Sequence, residues 1–150
     1  MQEFDKLWNY NDPADTEVKF REVLGDYSTR ANPSGHLQLL TQIARTYSLR
    51  RMFDDAHSTL NEVEQQLGTT PEVAHIRYHL ERGRSFNSAG NKAEANQHFV
   101  QARDIAKALG EDFYAVDAIH MLAITATPTE AIKLNEEGVV YADSSQDRHR

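Results

Sequence analysis

Apolar residues recur three and four positions apart along almost the whole chain, as in the run Leu37, Leu40, Ile43, Ala44 and Tyr47. This spacing places apolar side chains on one face of an α-helix, whereas a half-buried strand alternates apolar and polar residues. No segment sustains such alternation. The sequence therefore predicts an all-α protein.

Proline and glycine mark where the predicted helices begin and end. Each of the four prolines follows a capping residue, in the pairs Asp12-Pro13, Asn32-Pro33, Thr70-Pro71 and Thr127-Pro128. A capping side chain accepts a hydrogen bond from the first helical turn, where proline has no N–H to lose. Glu130 completes a capping box with Thr127, and Gly68 and Gly110 each follow a leucine where a helix is expected to end. The prediction is seven helices at 13–30, 34–50, 53–67, 71–89, 92–109, 111–126 and 128–142, after a helical stub at 3–10 and before a polar tail at 143–150.

Small residues recur within these helices with a period of 39 or 40 positions, at Ala44, Gly83 and Ala123. A second series has a small, a large and a small or β-branched residue, in Thr16-Phe20-Val23, Ala56-Leu60-Val63, Ala95-Phe99-Ala102 and, less regularly, Ala131-Asn135-Gly138. Small side chains let two helix backbones approach, and the large one fills the space beside them. We therefore expect one domain over residues 1–142, with helix pairs at 34–67, 71–109 and 111–142 after a partial unit at 3–30.

Two of these units resemble the tetratricopeptide repeat, namely Gly83-x2-Phe86, Gly90, Ala95-x3-Phe99-x2-Ala102 and Ala44-x2-Tyr47, Phe53, Ala56-x3-Leu60. The resemblance covers about residues 13–142, and its period exceeds the usual 34 residues, as in the longer variants of kinesin light chains and some bacterial regulators. It implies an α-solenoid, a right-handed superhelix of antiparallel helix pairs. In such a superhelix the first helix of each pair lines a concave groove.

The resemblance assigns ten residues to that groove: Gln38, Thr41, Arg45, Ser48, Arg77, Leu80, Arg84, Asn87, Asp117 and His120. Three of them are arginines, in a chain with a net charge of -7. Because arginine pairs bidentately with carboxylates, the groove is expected to bind an acidic peptide or a C-terminal carboxylate. The alternative is that the arginines pair within their own chain, for example Arg77 with Glu81 four residues on.

Nothing in the sequence favours an enzyme. There is no phosphate-binding loop, dinucleotide fingerprint, nucleophile elbow or HExxH, and the absence of cysteine excludes disulfides and thiolate chemistry. His75 and His79 have the spacing of a metal-ligand pair, but a third ligand is not evident, so no metal or cofactor is expected. The negative charge argues against binding nucleic acid, and the chain has neither a membrane-length apolar run nor a signal-peptide pattern. We expect a non-enzymatic cytoplasmic scaffold that binds a protein or peptide.

The last predicted helix carries four apolar residues, Ile132, Leu134, Val139 and Val140, with no later helix to cover them. Either this face is exposed, as in a self-assembly module or a fragment of a longer repeat protein, or the helix turns it inward. Self-assembly through this end is therefore one alternative function. A small-ligand sensor domain of a regulator, which the longer-period resemblance also allows, is another.

Overall fold

The computed structural model describes residues 1–27 and 32–148, with side chains described as far as residue 144, and these ranges form seven α-helices and no β-strand. The helices are α1 (Pro13–Val23), α2 (Pro33–Leu49), α3 (Phe53–Gln66), α4 (Val73–Ser88), α5 (Lys92–Leu109), α6 (Asp112–Thr125) and α7 (Pro128–Arg148). Single 3₁₀ turns lie at Glu3–Leu7 and Leu24–Asp26. The all-α prediction is confirmed. Within the described ranges, no helix has both the length and the apolar character of a membrane span.

Local capping explains most of the helix starts. The side chains of Asp12 and Asn32 accept hydrogen bonds from the backbone N–H groups of Asp15 (3.2 Å) and Gly35 (3.0 Å). At α7, the predicted capping box is present, since Glu130 N donates to Thr127 Oγ1 and Thr127 N donates to Glu130 Oε2. At the end of α5, Gly110 adopts the left-handed conformation with φ of +70°, which glycine reaches without steric cost.

Three α-helix boundaries differ from the prediction by more than one residue. α1 stops at Val23 because the chain tightens into a 3₁₀ turn around Gly25, a residue that disfavours continued helix; residues 28–31 lie outside the described ranges. α4 starts at Val73, beyond Pro71, because the backbone N–H of Glu72 donates to the His75 ring and forms the cap there. α7 continues through residues 143–148, where the sequence contains neither glycine nor proline to stop it.

The helices are arranged in a regular order. Each α-helix packs against the next in the chain, and α4 also packs against α2 and α6. The helices α2, α4 and α6 begin at residues 33, 73 and 112, and α1, α3, α5 and α7 begin at residues 13, 53, 92 and 128. Successive units therefore start 39 or 40 residues apart, except that α7 comes after 36.

Residues one period apart on α2 and α4 contact each other directly. Arg77 donates to Gln38 Oε1 (3.3 Å), and Gln42 donates to Glu81 Oε2 (3.2 Å), with 39 positions between the partners in each case. Equivalent positions of the two helices thus lie side by side, as stacked copies of one unit require.

α4 crosses α5 closely at Gly83. A Cβ atom added at Gly83 would lie 2.5 Å from the Phe99 ring, closer than van der Waals contact allows. Ala95 and Phe99 are fully buried, as are Ala56 and Leu60 at the equivalent places of the preceding unit. The small and large residues of the repeat pattern therefore form the core contacts that the sequence predicts.

The last helix leaves part of its apolar surface uncovered. Ile132, Val139 and Val140 on α7 are more than 60% exposed. Leu134 instead turns inward and packs on the core formed by α4, α5 and α6. The apolar residues of α7 are therefore divided between the core and the surface.

Candidate functional site

The N-terminal segment, defined as residues 1–10, reaches the polar surface of α2 and α4. Its Asp5 carboxylate accepts two hydrogen bonds from Arg77, at 2.9 and 2.7 Å. Its Trp8 indole N–H donates to Gln42 Oε1 at 3.0 Å. Phe4 is buried in the core between these two contacts. Side chains from the first turn of the chain therefore form part of this surface.

Arg77 is fully engaged within the protein. Besides its bidentate pair with Asp5, it donates to Gln38 and lies 5.6 Å from the ring centroids of both Phe4 and Tyr114. Burial lowers the pKa of Arg77, but the hydrogen bonds and charge of Asp5 outweigh that effect and raise it. The predicted arginine thus pairs within its own chain, with Asp5 in place of the expected Glu81.

Arg84 is also engaged, and Glu81 is one of its partners. Its guanidinium donates to Glu81 Oε2 at 2.9 Å and to Asp117 Oδ2 at 2.6 Å. Burial opposes the charged form, but the two carboxylates raise the pKa of Arg84 above its ordinary value. This triad ties α4 to α6 and keeps Arg84 charged.

Arg45 differs from the other two arginines. Its closest acidic atom is Glu81 Oε1, 3.7 Å from Nε, which is too long for a hydrogen bond. Its guanidinium carbon lies 5.6 Å from the Trp8 ring centroid and 5.0 Å from that of Tyr10, and the two rings stack on each other. Its side chain is 24% exposed. Within the part of the chain that the structure describes, the guanidinium of Arg45 makes no hydrogen bond.

The structure divides the ten predicted groove residues into two sets. Five are buried, namely Gln38, Thr41, Ser48, Arg77 and Leu80. The other five are partly or fully exposed, namely Arg45, Arg84, Asn87, Asp117 and His120. Within the buried set, the hydroxyls of Thr41 and Ser48 donate to backbone carbonyls of α2. The second set therefore forms the more solvent-exposed part of the predicted groove.

Four of the exposed set, all except Asn87, line an open groove of about 920 Å³ beside α6. The groove also contains residues that the sequence analysis missed, in particular Glu111, Phe113 and Val116. Phe113 is 63% exposed and presents an apolar ring to the groove. In the sequence, Phe113 merely follows the polar residues Glu111 and Asp112, which is a weak sign of a binding site. Its relevance becomes visible only because α6 places it in the same groove as Arg45.

A smaller cavity of about 140 Å³ adjoins this groove, and Arg45, Arg84, Phe113 and Asp117 line both. The cavity is closed on one side by the N-terminal segment and Tyr114. Burial raises the pKa of Tyr114, so its hydroxyl keeps its proton at neutral pH. The groove and the cavity together form one continuous site that contains Arg45.

The histidine pair suggested by the sequence does not converge on a metal site. Both ring nitrogens of His75 are within hydrogen-bond distance of the α4 N-terminal region, with Glu72 N at 3.1 Å and Gly68 O at 2.8 Å. His79 instead meets His98 of α5, with 3.0 Å between their Nδ1 atoms. Among the described residues, no group of three or more potential ligands is placed to hold a metal ion.

The contact between His79 and His98 lies on a different surface, between α4 and α5. Burial, reinforced by nearby His98 and His75, lowers the pKa of His79 to about 4. Burial and the charge of Arg82 also lower the pKa of His98. Both rings are therefore neutral at pH 7, and one can donate a hydrogen bond to the other.

The candidate site is thus an open groove above a polar cavity, with Arg45 at their junction. No protein-family model matches the chain, and no curated protein and no solved structure is significantly similar to it. The chemistry of a ligand for this site therefore has to follow from the residues of the groove and the cavity themselves.

Proposed function

We propose that this chain is a helical-repeat protein of the tetratricopeptide type, in which antiparallel helix pairs stack into a right-handed superhelix. The spacing of the helix starts and the direct contacts between residues 39 positions apart support this assignment. The packing of α4 against both α2 and α6 is that expected of the first helices of successive pairs. The cytoplasmic location stays a prediction from the sequence.

Its function, we propose, is the non-enzymatic binding of a peptide or protein segment in the groove beside α6. The observation that carries this proposal is the state of Arg45, whose guanidinium faces an open groove and has no hydrogen-bond partner in the described chain. The rings of Trp8 and Tyr10 hold it in place, which reduces the entropy lost when it binds a carboxylate. The exposed Phe113 supplies an apolar contact in the same groove.

The charges of the groove refine the expected partner. Arg84 is neutralised by Glu81 and Asp117, and Glu111 adds a further negative charge to the lining. A uniformly acidic peptide would meet these carboxylates. The groove therefore suits a segment of mixed charge, with one carboxylate at the terminal guanidinium nitrogens of Arg45 rather than at the buried Nε.

Selection from a displayed library of random peptides, with the whole chain as bait, tests this function. We expect enriched peptides to share an Asp, a Glu or a free C-terminus, and to bind measurably in fluorescence anisotropy. Arg45→Ala and Phe113→Ala should each weaken binding about tenfold, as truncation of an interface anchor does.

Arg21→Ala is the matched control, because Arg21 lies on α1 with an exposed side chain and does not line the groove. It should leave the affinity unchanged. Enriched peptides that bind Arg45→Ala as well as the wild type would place the binding site elsewhere, and failure to enrich any peptide would refute a peptide-binding groove.

A second candidate function is self-association through α7. Ile132, Val139 and Val140 expose a contiguous apolar surface, which adjoins a shallow groove of about 450 Å³. Covering such a surface with a second copy of the chain would remove apolar area from water. We expect a concentration-dependent dimer in light scattering if this function holds.

The matched pair of variants for this test is Val139→Lys and Val18→Lys. Both valines are more than half exposed, but Val18 lies on α1, at the other end of the chain. Only Val139→Lys should abolish the dimer. A wild-type chain that stays monomeric at every concentration would exclude self-association.

A further inference from the structure

The small cavity beside the groove is lined by equal numbers of positively and negatively charged side chains. Three arginines line it, Arg45, Arg77 and Arg84, and so do three carboxylates, Asp5, Glu81 and Asp117. These side-chain charges balance, so together they give no net electrostatic preference for an anion or a cation. A neutral polar group is the guest that meets the smallest desolvation cost there.

The cavity is also lined by residues whose buried polar atoms have no hydrogen-bond partner among the described residues. In the described chain, four buried side-chain nitrogen or oxygen atoms lack a hydrogen bond. Three of them, Arg45 Nε, Glu81 Oε1 and Tyr114 Oη, belong to residues that line this cavity. Proteins rarely leave such atoms unsatisfied, because a buried polar atom without a hydrogen bond keeps the full cost of its lost hydration. Their convergence on one cavity points to a bound polar group.

The three atoms define the hydrogen bonds that the guest must form. Arg45 Nε carries an N–H and requires an acceptor, whereas Glu81 Oε1 requires a donor. The hydroxyl of Tyr114 can serve in either role. A carboxylate offers acceptors alone and would lie against Glu81, and an ammonium group offers donors alone and would lie against Arg45. A primary carboxamide offers both without a charge.

We propose that this cavity binds the side-chain carboxamide of an asparagine or glutamine in a peptide held by the groove. Its carbonyl oxygen accepts from Arg45 Nε, and its amino group donates to Glu81 Oε1. The cavity, at about 140 Å³, has room for such a group, since a single water needs only about 10–15 Å³. This inference rests on the proposed peptide-binding function, and it names the residue that the peptide inserts.

The direct test uses three small probes: acetamide, acetate and methylammonium. The whole chain is titrated with each, and the Arg45 Nε–H resonance is followed by NMR. We expect acetamide to shift this resonance saturably, with at least about fivefold higher affinity than either charged probe, a difference of about 1 kcal/mol. Acetate binding as tightly as acetamide would overturn the proposal in favour of an anion site. No saturable shift with any probe would mean that the cavity holds solvent alone.

Two hydroxyl deletions provide a matched comparison. Tyr114→Phe removes an unpartnered hydroxyl that lines the cavity, and Ser85→Ala removes one that does not. Since neither hydroxyl has a protein partner to lose, both variants should fold. We expect Tyr114→Phe to weaken acetamide binding several-fold and Ser85→Ala to leave it unchanged. Equal acetamide affinity in all three proteins would overturn the proposal.

Failure of the carboxamide site can be distinguished from failure of the peptide-binding groove. Peptides that bind through Arg45 and Phe113 but keep their affinity when every Asn and Gln is replaced by alanine would overturn the carboxamide site alone. Saturable acetamide binding without any peptide binding would overturn the groove function alone.

Discussion

Arg45 on α2 and Arg84 on α4 occupy equivalent positions of two successive helix pairs, 39 residues apart, yet they are used differently. Arg84 donates to two carboxylates and joins α4 to α6. Arg45 rests on two aromatic rings, and its nearest carboxylate oxygen is 3.7 Å away. Equivalent positions thus hold one arginine that joins two helices through hydrogen bonds and another whose guanidinium makes no hydrogen bond in the described part of the chain. Repetition of a residue type is therefore not evidence that its role is repeated.

The largest expected difference between the two positions is in stability. Arg84→Met should lower the free energy of unfolding by about 3–5 kcal/mol, because it leaves the buried Glu81 carboxylate without its closest cation. Arg45→Met should cost less than about 1 kcal/mol, as for a long, partly exposed ion pair. Urea unfolding at neutral pH measures both. Equal losses for the two variants would mean that both arginines are structural.

The same contrast separates the features that can be predicted from the sequence from those that cannot. The bounds of α5 match the prediction because both signals are local: the Asn91 side chain caps its start and Gly110 ends it. The partner of Arg77 could not be inferred in this way. Asp5 lies 72 positions away, and no spacing rule connects a residue before the first helix to one in the fourth.

The buried half of the predicted groove has a similar explanation. The repeat pattern correctly places Gln38 and Arg77 at equivalent positions, but it carries no information about what covers them. The N-terminal segment covers this surface, since Asp5 pairs with Arg77 and Trp8 donates to Gln42. Likewise, the cap of α4 uses His75 where the usual pattern has Glu or Gln, so the sequence analysis placed that helix start too early.

The two helix pairs should also differ in their response to acid. His79 and His98 stand where the preceding pair carries Leu40 and Thr59, 39 residues earlier. In the folded state, the pKa of His79 is lowered from 6.5 to about 4. The unfolded chain therefore takes up a proton near pH 6.5, while the folded chain resists until about pH 4. The stability that neutral His79 provides is thus lost as the pH falls through this window.

Comparison with His79→Leu isolates this effect from the general titration of carboxylates. Between pH 6.5 and pH 4, the wild type should lose up to about 3 kcal/mol more than the variant, since each pKa unit corresponds to 1.36 kcal/mol. Urea unfolding of both proteins across this range measures the difference. If the two stability curves stay parallel, the environment of His79 does not disfavour its charged form.

The two helix pairs differ in the sizes of the side chains at the point where their helices cross. The α4–α5 pair combines Gly83 with Phe99, and the α2–α3 pair has Ala44 and Leu60 at the equivalent positions. Gly83→Ala should cost about 1–3 kcal/mol, because its Cβ would meet the Phe99 ring. Adding Phe99→Leu should recover part of that loss by recreating the other pair's combination. Strictly additive effects in this double-mutant cycle would show that the two positions do not share one contact.

The smallest expected effect concerns the turn that follows the first helix of each pair. Arg51 and Gly90, 39 residues apart, both have positive φ, at +60° and +88°. In each turn, the next residue donates a backbone hydrogen bond to the carbonyl five positions earlier. The turns therefore have one geometry, but only glycine adopts it freely. Gly90→Ala should lower stability by about 1 kcal/mol, although no atom lies within 4 Å of the added methyl.

Arg51→Gly should act in the opposite direction, because it removes the same conformational cost from the first turn. Its gain should be less than about 1 kcal/mol, since Arg51 also donates to the Ser88 carbonyl and lies over the Phe53 ring. Urea unfolding of the two single variants measures both effects. Changes of the same sign would show that the turns do not share their backbone requirement, whereas opposite signs would extend the equivalence of the two helix pairs from their core contacts to their turns.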